Sequence, residues 1–311
     1  MFESTNALLL EWLDRGELNN DPYDLATALA LAYLNHDRAK GSNLGRSFCS
    51  LGNCHLSLGE RHATGDHLSL AIEAFRAAAN EFSRHTYPTN WAHMQNSPGS
   101  ALAALGAREH DTARLCEAVS AFEAALEVIN RDTEPMMWAM IQNNVGNALR
   151  TLGHLEGNST RLHQAVAALE GGLQVHTRDA APMDWAIKQH NLALIYLALT
   201  QITSDPHWLD QSEQTFRNAL QVTLRSVASN HWANNYIGLG DVALERFRHT
   251  SDKSQLQDAH QFFTEARAVF ALDPANIRAK SCDKNLAEIK SLLEQSPSPP
   301  QPSLSRFAPH G

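Results

Sequence analysis

Four tryptophans recur at a constant interval of 47 residues, and this period constrains the fold more than any other feature of the chain. They are Trp91, Trp138, Trp185 and Trp232. A small residue follows each of them eight positions later, and a further glycine extends the series one period upstream, where Leu44 takes the tryptophan place: Gly52, Gly99, Gly146, Ala193 and Gly240. Self-similarity at a fixed period indicates repeated supersecondary units. The sequence therefore predicts five copies of one unit.

The second half of each unit carries an apolar pattern with spacings of three, four and three residues. Its members are Leu68, Ala71, Phe75 and Ala78; Leu115, Ala118, Phe122 and Ala125; Leu162, Ala165, Leu169 and Gly172; Leu209, Ser212, Phe216 and Ala219; and Leu256, Ala259, Phe263 and Ala266. Such spacing places all four side chains on one face of an α-helix and does not match the alternation of a strand. Each unit is therefore predicted to contain two helices.

Residues of capping type predict where the helices begin. Three prolines precede the tryptophans and suit the first turn of a first helix, where an N–H is not needed: Pro88, Pro135 and Pro182. Second helices are predicted to begin after Asp66, Asp111, Ser159, Asp205 and Asp252. The tryptophans are expected to fill the junction with the preceding unit. Pro98 lies inside a predicted first helix and is expected to bend its axis.

The repeated unit resembles the tetratricopeptide repeat in the segment Trp138–Leu149 and in the later positions Gly153, Ala165, Leu169 and Gly172. The period exceeds the family's usual spacing of about 34 residues, and longer helices account for the difference. This lengthened form is similar to repeats of bacterial proteins, which occur alone or ahead of caspase-like protease domains, and no such protease domain can be placed here. The resemblance implies an all-α, right-handed superhelical α-solenoid of helix-turn-helix repeats with a concave surface.

The resemblance covers about Leu44 to Pro274 and divides the chain into four parts. Residues 1–40 are predicted to form N-terminal capping helices, residues 41–273 five repeats of tetratricopeptide type, and residues 274–295 a C-terminal capping helix. Residues 296–311 are rich in proline, and this composition predicts a disordered tail.

Composition and charge limit the partners of the chain. The net charge is −9 and the sequence pI is about 5.9, so the surface repels phosphate backbones and is not attracted to anionic membranes. Neither nucleic acid nor a membrane is therefore expected as a partner. No signal peptide is visible at the N-terminus, and the four cysteines are few and scattered, which fits a cytoplasmic protein.

In the resembled family the first helix lines the concave groove, and the matching positions of this chain are rich in asparagine. A carboxamide offers donors and an acceptor that match the N–H and C=O of an extended peptide. The predicted peptide- or partner-binding residues are Arg46, Asn53, His93, Asn96, Asn143, Asn144, Asn147, Arg150, His190, Asn191, Asn234 and Asp241. The alternative is that the asparagines only solvate an exposed helix face.

Some members of the resembled family hold a partner's terminal carboxylate with an asparagine directly after the small residue and a lysine four positions before that asparagine. Asn53 and Asn147 match the asparagine of this clamp. Cys49 and Asn143 stand in the two lysine places. A specificity for C-terminal peptides is therefore not carried over, and the arginines of the predicted site remain as candidate anion contacts.

These features favour a scaffold or adaptor that binds a protein or peptide in its concave groove. One alternative is a regulatory sensor whose superhelix changes when a small peptide binds. A second alternative, an enzyme, is disfavoured because no nucleophile, base and orienting group can be assembled from adjacent positions, so no catalytic residue is predicted. No cofactor and no metal are expected. Self-association through an imperfect terminal cap is left open.

Overall fold

The computed structural model describes Ala32 and residues 43–294, apart from residues 62–65, 81, 83 and 272–275. Within this part of the chain every secondary-structure element is an α-helix, which confirms the predicted all-α class. No helix in these ranges is long and apolar enough to span a membrane. The predicted N-terminal capping helices at 1–40, Ala32 excepted, and the predicted disordered tail at 296–311 lie outside the described residues.

The described helices form five consecutive hairpins and one closing helix. In chain order they are α1 (Asn43–Arg61), α2 (His67–Ala79), α3 (Pro88–Glu109), α4 (Thr112–Leu126), α5 (Pro135–Glu156), α6 (Ser159–Leu173), α7 (Pro182–Thr203), α8 (His207–Leu220), α9 (Ser229–Thr250), α10 (Ser254–Val269) and α11 (Ile277–Glu294). The odd-numbered helices α1 to α9 are the first helices of the hairpins, and the even-numbered helices α2 to α10 are the second helices. First helices contain 19 to 22 residues and second helices 13 to 16.

Helix starts largely follow the capping residues. Each of the three prolines is the first residue of its helix, as predicted. Asp111 caps α4, because its side chain accepts hydrogen bonds from the backbone N–H groups of Ala113 and Arg114. The prediction of Ser159 as a cap was wrong by one position. The preceding Asn158 caps α6 through its side-chain oxygen, and Ser159 is the first helical residue.

The repeated small residue of the first helix faces the repeated large residue of the second. A Cβ atom placed on Gly99 would lie 2.7 Å from Phe122 Cε1, and one placed on Gly240 would lie 2.7 Å from Phe263 Cζ. Both phenylalanines are completely buried. Because a side chain at the glycine would displace the ring, the small and large positions recur together. This close approach holds the two helices of a hairpin against each other.

Neighbouring hairpins stack through both layers. The second helix of each hairpin packs against the first helix of the next, and α10 packs against α11. First helices also contact each other in the order α1, α3, α5, α7 and α9. One cluster of buried side chains extends from Leu68 in α2 to Leu199 in α7, and two further clusters extend from Ala193 to Ile289 in α11. This continuous stacking is that of a helical-repeat-like fold.

The four tryptophans occupy equivalent places, near the start of each first helix from α3 to α9. Trp91, Trp138 and Trp185 are only partly buried, so they do not fill a junction as deeply as expected. An arginine guanidinium lies over each ring at 4.9 to 5.9 Å from its centroid, and these arginines are Arg84, Arg131, Arg178 and Arg225. The arginines repeat with the same period, so the sequence carried a signal for this cation–π contact.

Pro98 lies within α3, which continues without interruption from Pro88 to Glu109. The proline removes one backbone donor but does not end the helix. It is buried, and it precedes Gly99, against which the ring of Phe122 packs. The bend of the axis at this position stays a prediction.

Candidate functional site

Four of the predicted site residues form one hydrogen-bond network across three first helices, which we call the asparagine ladder: Asn96 in α3, Asn143 and Asn144 in α5, and Asn191 in α7. Nδ2 of Asn144 donates to Oδ1 of Asn96 at 2.9 Å and also approaches Ser100 Oγ at 3.3 Å. Nδ2 of Asn191 donates to Oδ1 of Asn143 at 2.8 Å. Nδ2 of Asn143 donates to Oδ1 of Asn144 at 3.4 Å, which joins the two halves.

The asparagine ladder connects neighbouring hairpins. Its donors and acceptors on adjacent helices are 48 residues apart, one more than the sequence period. One extra position turns a side chain by about 100° around the helix axis, which directs the later amide back toward the preceding helix. Asn96 and Asn191 are only 6% and 9% exposed. These amides are therefore engaged with each other and do not simply solvate an open helix face.

We predict that Asn144→Ala lowers the free energy of unfolding by about 1–3 kcal/mol, because it leaves the buried Asn96 oxygen without that donor. Urea denaturation measures the change. Asn147→Ala is the matched control, since Asn147 lies on the same helix and its side chain makes no hydrogen bond with the described residues. We expect the control to change stability by less than about 0.5 kcal/mol. Equal losses in the two variants would contradict a structural role for the ladder.

A second polar group joins α7 to α9. His190 lies 2.9 Å from Asn235, through Nδ1 and Oδ1, and Asn235 donates in turn to Thr223 Oγ1 at 3.1 Å and to the His231 carbonyl at 3.0 Å. Burial lowers the pKa of His190 to about 4, although the Asn235 contact acts in the opposite direction. The imidazole is therefore neutral at pH 7, and it acts as a hydrogen-bond donor in the packing of these two helices.

Lys188 and His176 form a buried pair that the sequence analysis did not identify. Lys188 Nζ lies 2.7 Å from His176 Nδ1, and the two residues are 2% and 3% exposed. Burial lowers the pKa of Lys188 to about 8, and the charge of Asp184 opposes this effect. The sequence does carry a signal for both this pair and the His190–Asn235 group. Lys188 and Asn235 stand at the repeat position that the apolar residues Met94 and Ile141 occupy in α3 and α5. A polar residue at this core position indicates a buried polar contact.

The remaining predicted residues are dispersed over the first helices. Arg46, Asn53 and His93 are exposed. Asp241 in α9 accepts a long hydrogen bond of 3.4 Å from Asn285 of α11. Burial raises the pKa of Asp241 to about 7, against the opposing charge of Arg248 and with a smaller contribution from Glu288. Within the described part of the chain, no hydrogen bond or ion pair joins these four residues to one another.

Polar atoms without partners mark a different part of the first-helix layer. Oδ1 of Asn234 and Nε of Arg150 are shielded from solvent and make no hydrogen bond. Asn234 lines a cavity of about 20 Å³ between α7 and α9, together with His190 and His231. That volume is enough for one water molecule. Unlike the amides of the asparagine ladder, these two atoms have no hydrogen-bond partner among the described residues.

Comparisons with known proteins give no assignment of function. The chain matches no protein-family model and no curated protein. Solved structures with a similar chain include the crystal structure of BtubC (BKLC) from P. vanneervenii, with 14% sequence identity, a TM-score of 0.37, and coverage of 100% of this chain and 97% of that chain. A likeness at this level carries no argument about partners or activity. The paired and stacked helices themselves show an all-α, helical-repeat-like fold.

Proposed function

We propose that this chain is a protein- or peptide-binding scaffold of the tetratricopeptide type, a right-handed superhelix whose first helices line a concave groove. The direct contacts among first helices support this orientation, because the inner layer of a curved two-layer stack has its helices closest together. Each second helix packs against two first helices, and ion pairs such as Arg76 with Glu117 at 2.9 Å join neighbouring second helices on the opposite side of the stack.

The observation that carries the proposal is that two of the shielded polar atoms on the first helices, Asn234 Oδ1 and Arg150 Nε, have no hydrogen-bond partner among the described residues. A shielded polar group without a partner costs about 1–3 kcal/mol, and a ligand that supplies the partner recovers that cost on binding. Asn147 lies one turn from Arg150, and its carboxamide is also unengaged. Together these groups offer donors and acceptors of the kind that an extended peptide backbone requires.

Photo-crosslinking tests which layer contacts the partner. A photoreactive residue replaces Asn147 on α5 in one variant and the exposed Gln164 on α6 in a control variant. The protein that crosslinks from position 147 is identified by mass spectrometry and then purified. Its affinity is measured against Asn147→Ala and Asn234→Ala, with Gln164→Ala as the control.

We expect each of the two first-helix variants to bind the purified partner about two- to tenfold more weakly, because each loses one or two hydrogen bonds to the ligand. The control variant is expected to bind as the unmodified protein does. Crosslinking from position 164 alone would place the interface on the second helices. Unchanged affinity in both first-helix variants would also reject the proposed groove.

A further inference from the structure

A cleft opens between the second helices α4 and α6, where both pack against the first helix α5. We call it the α4–α6 cleft, and its lining includes Glu123 of α4, Val145 and Leu149 of α5, and Arg161 and Ala168 of α6. The two α5 side chains are apolar and buried. The volume is about 570 Å³, within the roughly 300–1,000 Å³ range of ligand sites in proteins. This cleft is therefore large enough to hold a side chain from another molecule.

The next equivalent cleft, between α6 and α8, is filled by the protein itself. Trp208 of α8 stands one period after Arg161. Its indole stacks on Tyr196 of α7 with ring centroids 5.7 Å apart, and it meets His163 of α6 edge-on at 6.0 Å. The indole thus contacts both of the other helices that form this cleft. An aromatic side chain therefore fits the space between two second helices and the first helix that they share.

A further equivalent cleft, between α8 and α10, is narrowed by another ring. Leu239 of α9 lines it and stands two periods after Val145. Phe262 of α10 also lines it and stands two periods after Ala168. The cavity that remains has a volume of about 140 Å³. The α4–α6 cleft is larger because it has an arginine and an alanine at the two positions where the later clefts carry an aromatic side chain.

The preceding equivalent cleft, between α2 and α4, is bridged by an ion pair. Arg76 and Glu117 join its two second helices at 2.9 Å. One period later these positions hold Glu123 and Gln164, an acid and an amide, which cannot form an ion pair. The carboxylate of Glu123 makes no hydrogen bond or ion pair with the described residues. The α4–α6 cleft therefore has neither the ring nor the bridge that its equivalents have.

Glu123 gives the α4–α6 cleft an unpaired negative charge. Arg161 is the cation among the lining residues, and it already pairs with Glu156 at 2.5 Å. The chain as a whole also carries a net charge of −9. Because interacting surfaces are complementary in charge, the molecule that enters the cleft is expected to be basic next to the group that is buried.

We propose that the α4–α6 cleft binds a large aromatic side chain of a basic peptide segment. The protein itself indicates this occupant, because Trp208 and Phe262 take the corresponding space in the equivalent clefts. An aromatic ring buries a large apolar area against the α5 side chains, and the indole N–H of a tryptophan also finds a polar partner at the edge of such a site. A lysine or arginine next to the ring pairs with Glu123. The site is additional to the proposed groove along the first helices.

The test uses the full chain and the fluorescein-labelled peptide Gly-Lys-Trp-Lys-Gly, with Gly-Lys-Ala-Lys-Gly as the control peptide of equal charge. Fluorescence anisotropy measures binding. Arg161→Trp and Ala168→Phe close the cleft with side chains that the repeat already carries at the equivalent positions 208 and 262. Arg114→Trp is the matched control, because Arg114 stands one period before Arg161 and also pairs with an acid at 2.5 Å. Circular dichroism checks that each variant is folded, and either closing variant alone is sufficient.

We expect the tryptophan peptide to bind at least about tenfold more tightly than the alanine peptide, since the ring supplies most of the buried area. Each closing variant should lose about tenfold or more in affinity for the tryptophan peptide, while Arg114→Trp should change it by less than about twofold. Glu123→Gln should weaken binding by about two- to fivefold at low ionic strength, because it removes the charge that attracts the lysines.

Two results would overturn the proposal. Equal affinities of the two peptides would show that charge attraction alone holds them. Unchanged affinity in both closing variants would place the peptide at another surface, and absence of saturable binding would reject the cleft as an aromatic site.

The test is independent of the proposed first-helix groove. Neither Asn147 nor Asn234 is among the lining residues of the cleft, so Asn147→Ala and Asn234→Ala should change the affinity for the tryptophan peptide by less than about twofold. A large loss in these two variants would contradict binding in the cleft. Gln164 does line the cleft, so a partner held there is expected to crosslink from position 164 and not from position 147.

Discussion

Phe263→Ala is expected to lower the free energy of unfolding by about 3–5 kcal/mol. The ring of Phe263 is completely buried, and Gly240 of the paired first helix lies directly against it. Because a glycine has no side chain that could move into the space, the cavity left by the ring cannot be filled locally. Urea denaturation, followed by circular dichroism and by the fluorescence of the tryptophans, measures the loss.

The adjacent residue supplies a matched control. Phe262 has the same side chain on the same helix but is only partly buried, and its ring meets Tyr236 edge-on with centroids 5.5 Å apart. Phe262→Ala should therefore cost about 1 kcal/mol. Equal losses at the two positions would contradict the assignment of position 263 to the core of the hairpin. Because stacked repeats can unfold in stages, the comparison uses the first transition of each variant.

Lys188 is expected to make the protein more stable at high pH than at neutral pH. Its pKa is about 8 in the folded chain, where burial disfavours the charged form, and 10.5 is the ordinary lysine value. Between these values the unfolded chain binds the proton and the folded chain does not, so the free energy of unfolding rises with pH. From pH 7 to pH 10 the contribution amounts to about 2–3 kcal/mol.

Lys188→Met should remove this rise. The free energy of unfolding is measured for the unmodified and the variant protein at pH 7 and at pH 10, and the difference between the two proteins at each pH isolates the contribution of Lys188. The subtraction cancels groups such as the buried Cys282, whose pKa burial raises to about 12. Lys284→Met is the control, because Lys284 is exposed and its removal should leave the pH dependence unchanged. A variant at position 188 that keeps the full rise in stability would show that this amine is not buried in solution.

The first helices carry two sets of polar groups with different surroundings. From α3 to α7 the side-chain amides of the asparagine ladder bond to one another. They therefore stabilise the stack and leave few donors or acceptors for a ligand. In α5 and α9, by contrast, Arg150 Nε and Asn234 Oδ1 are shielded from solvent and have no hydrogen-bond partner among the described residues.

Sequence alone determined the helical hairpin, because the residues that build it are close together along the chain. The small residue at Gly99 and the ring at Phe122 lie within one unit, and their recurrence predicted both helices and their faces. Proline placement predicted the starts of α3, α5 and α7 because it acts through the local backbone. The arginines over the tryptophans recur with the same period, so this contact is also encoded within each unit.

Only the tertiary structure decided what the polar residues of the first helices do. The pairing of Asn144 with Asn96 depends on how one hairpin is rotated against the next, and no local pattern encodes that rotation. His190 and Asn235, which are 45 residues apart, likewise meet only because α7 packs against α9. Periodicity therefore specified which positions of the repeats are equivalent, whereas the packing of one hairpin against the next specified which side chains meet.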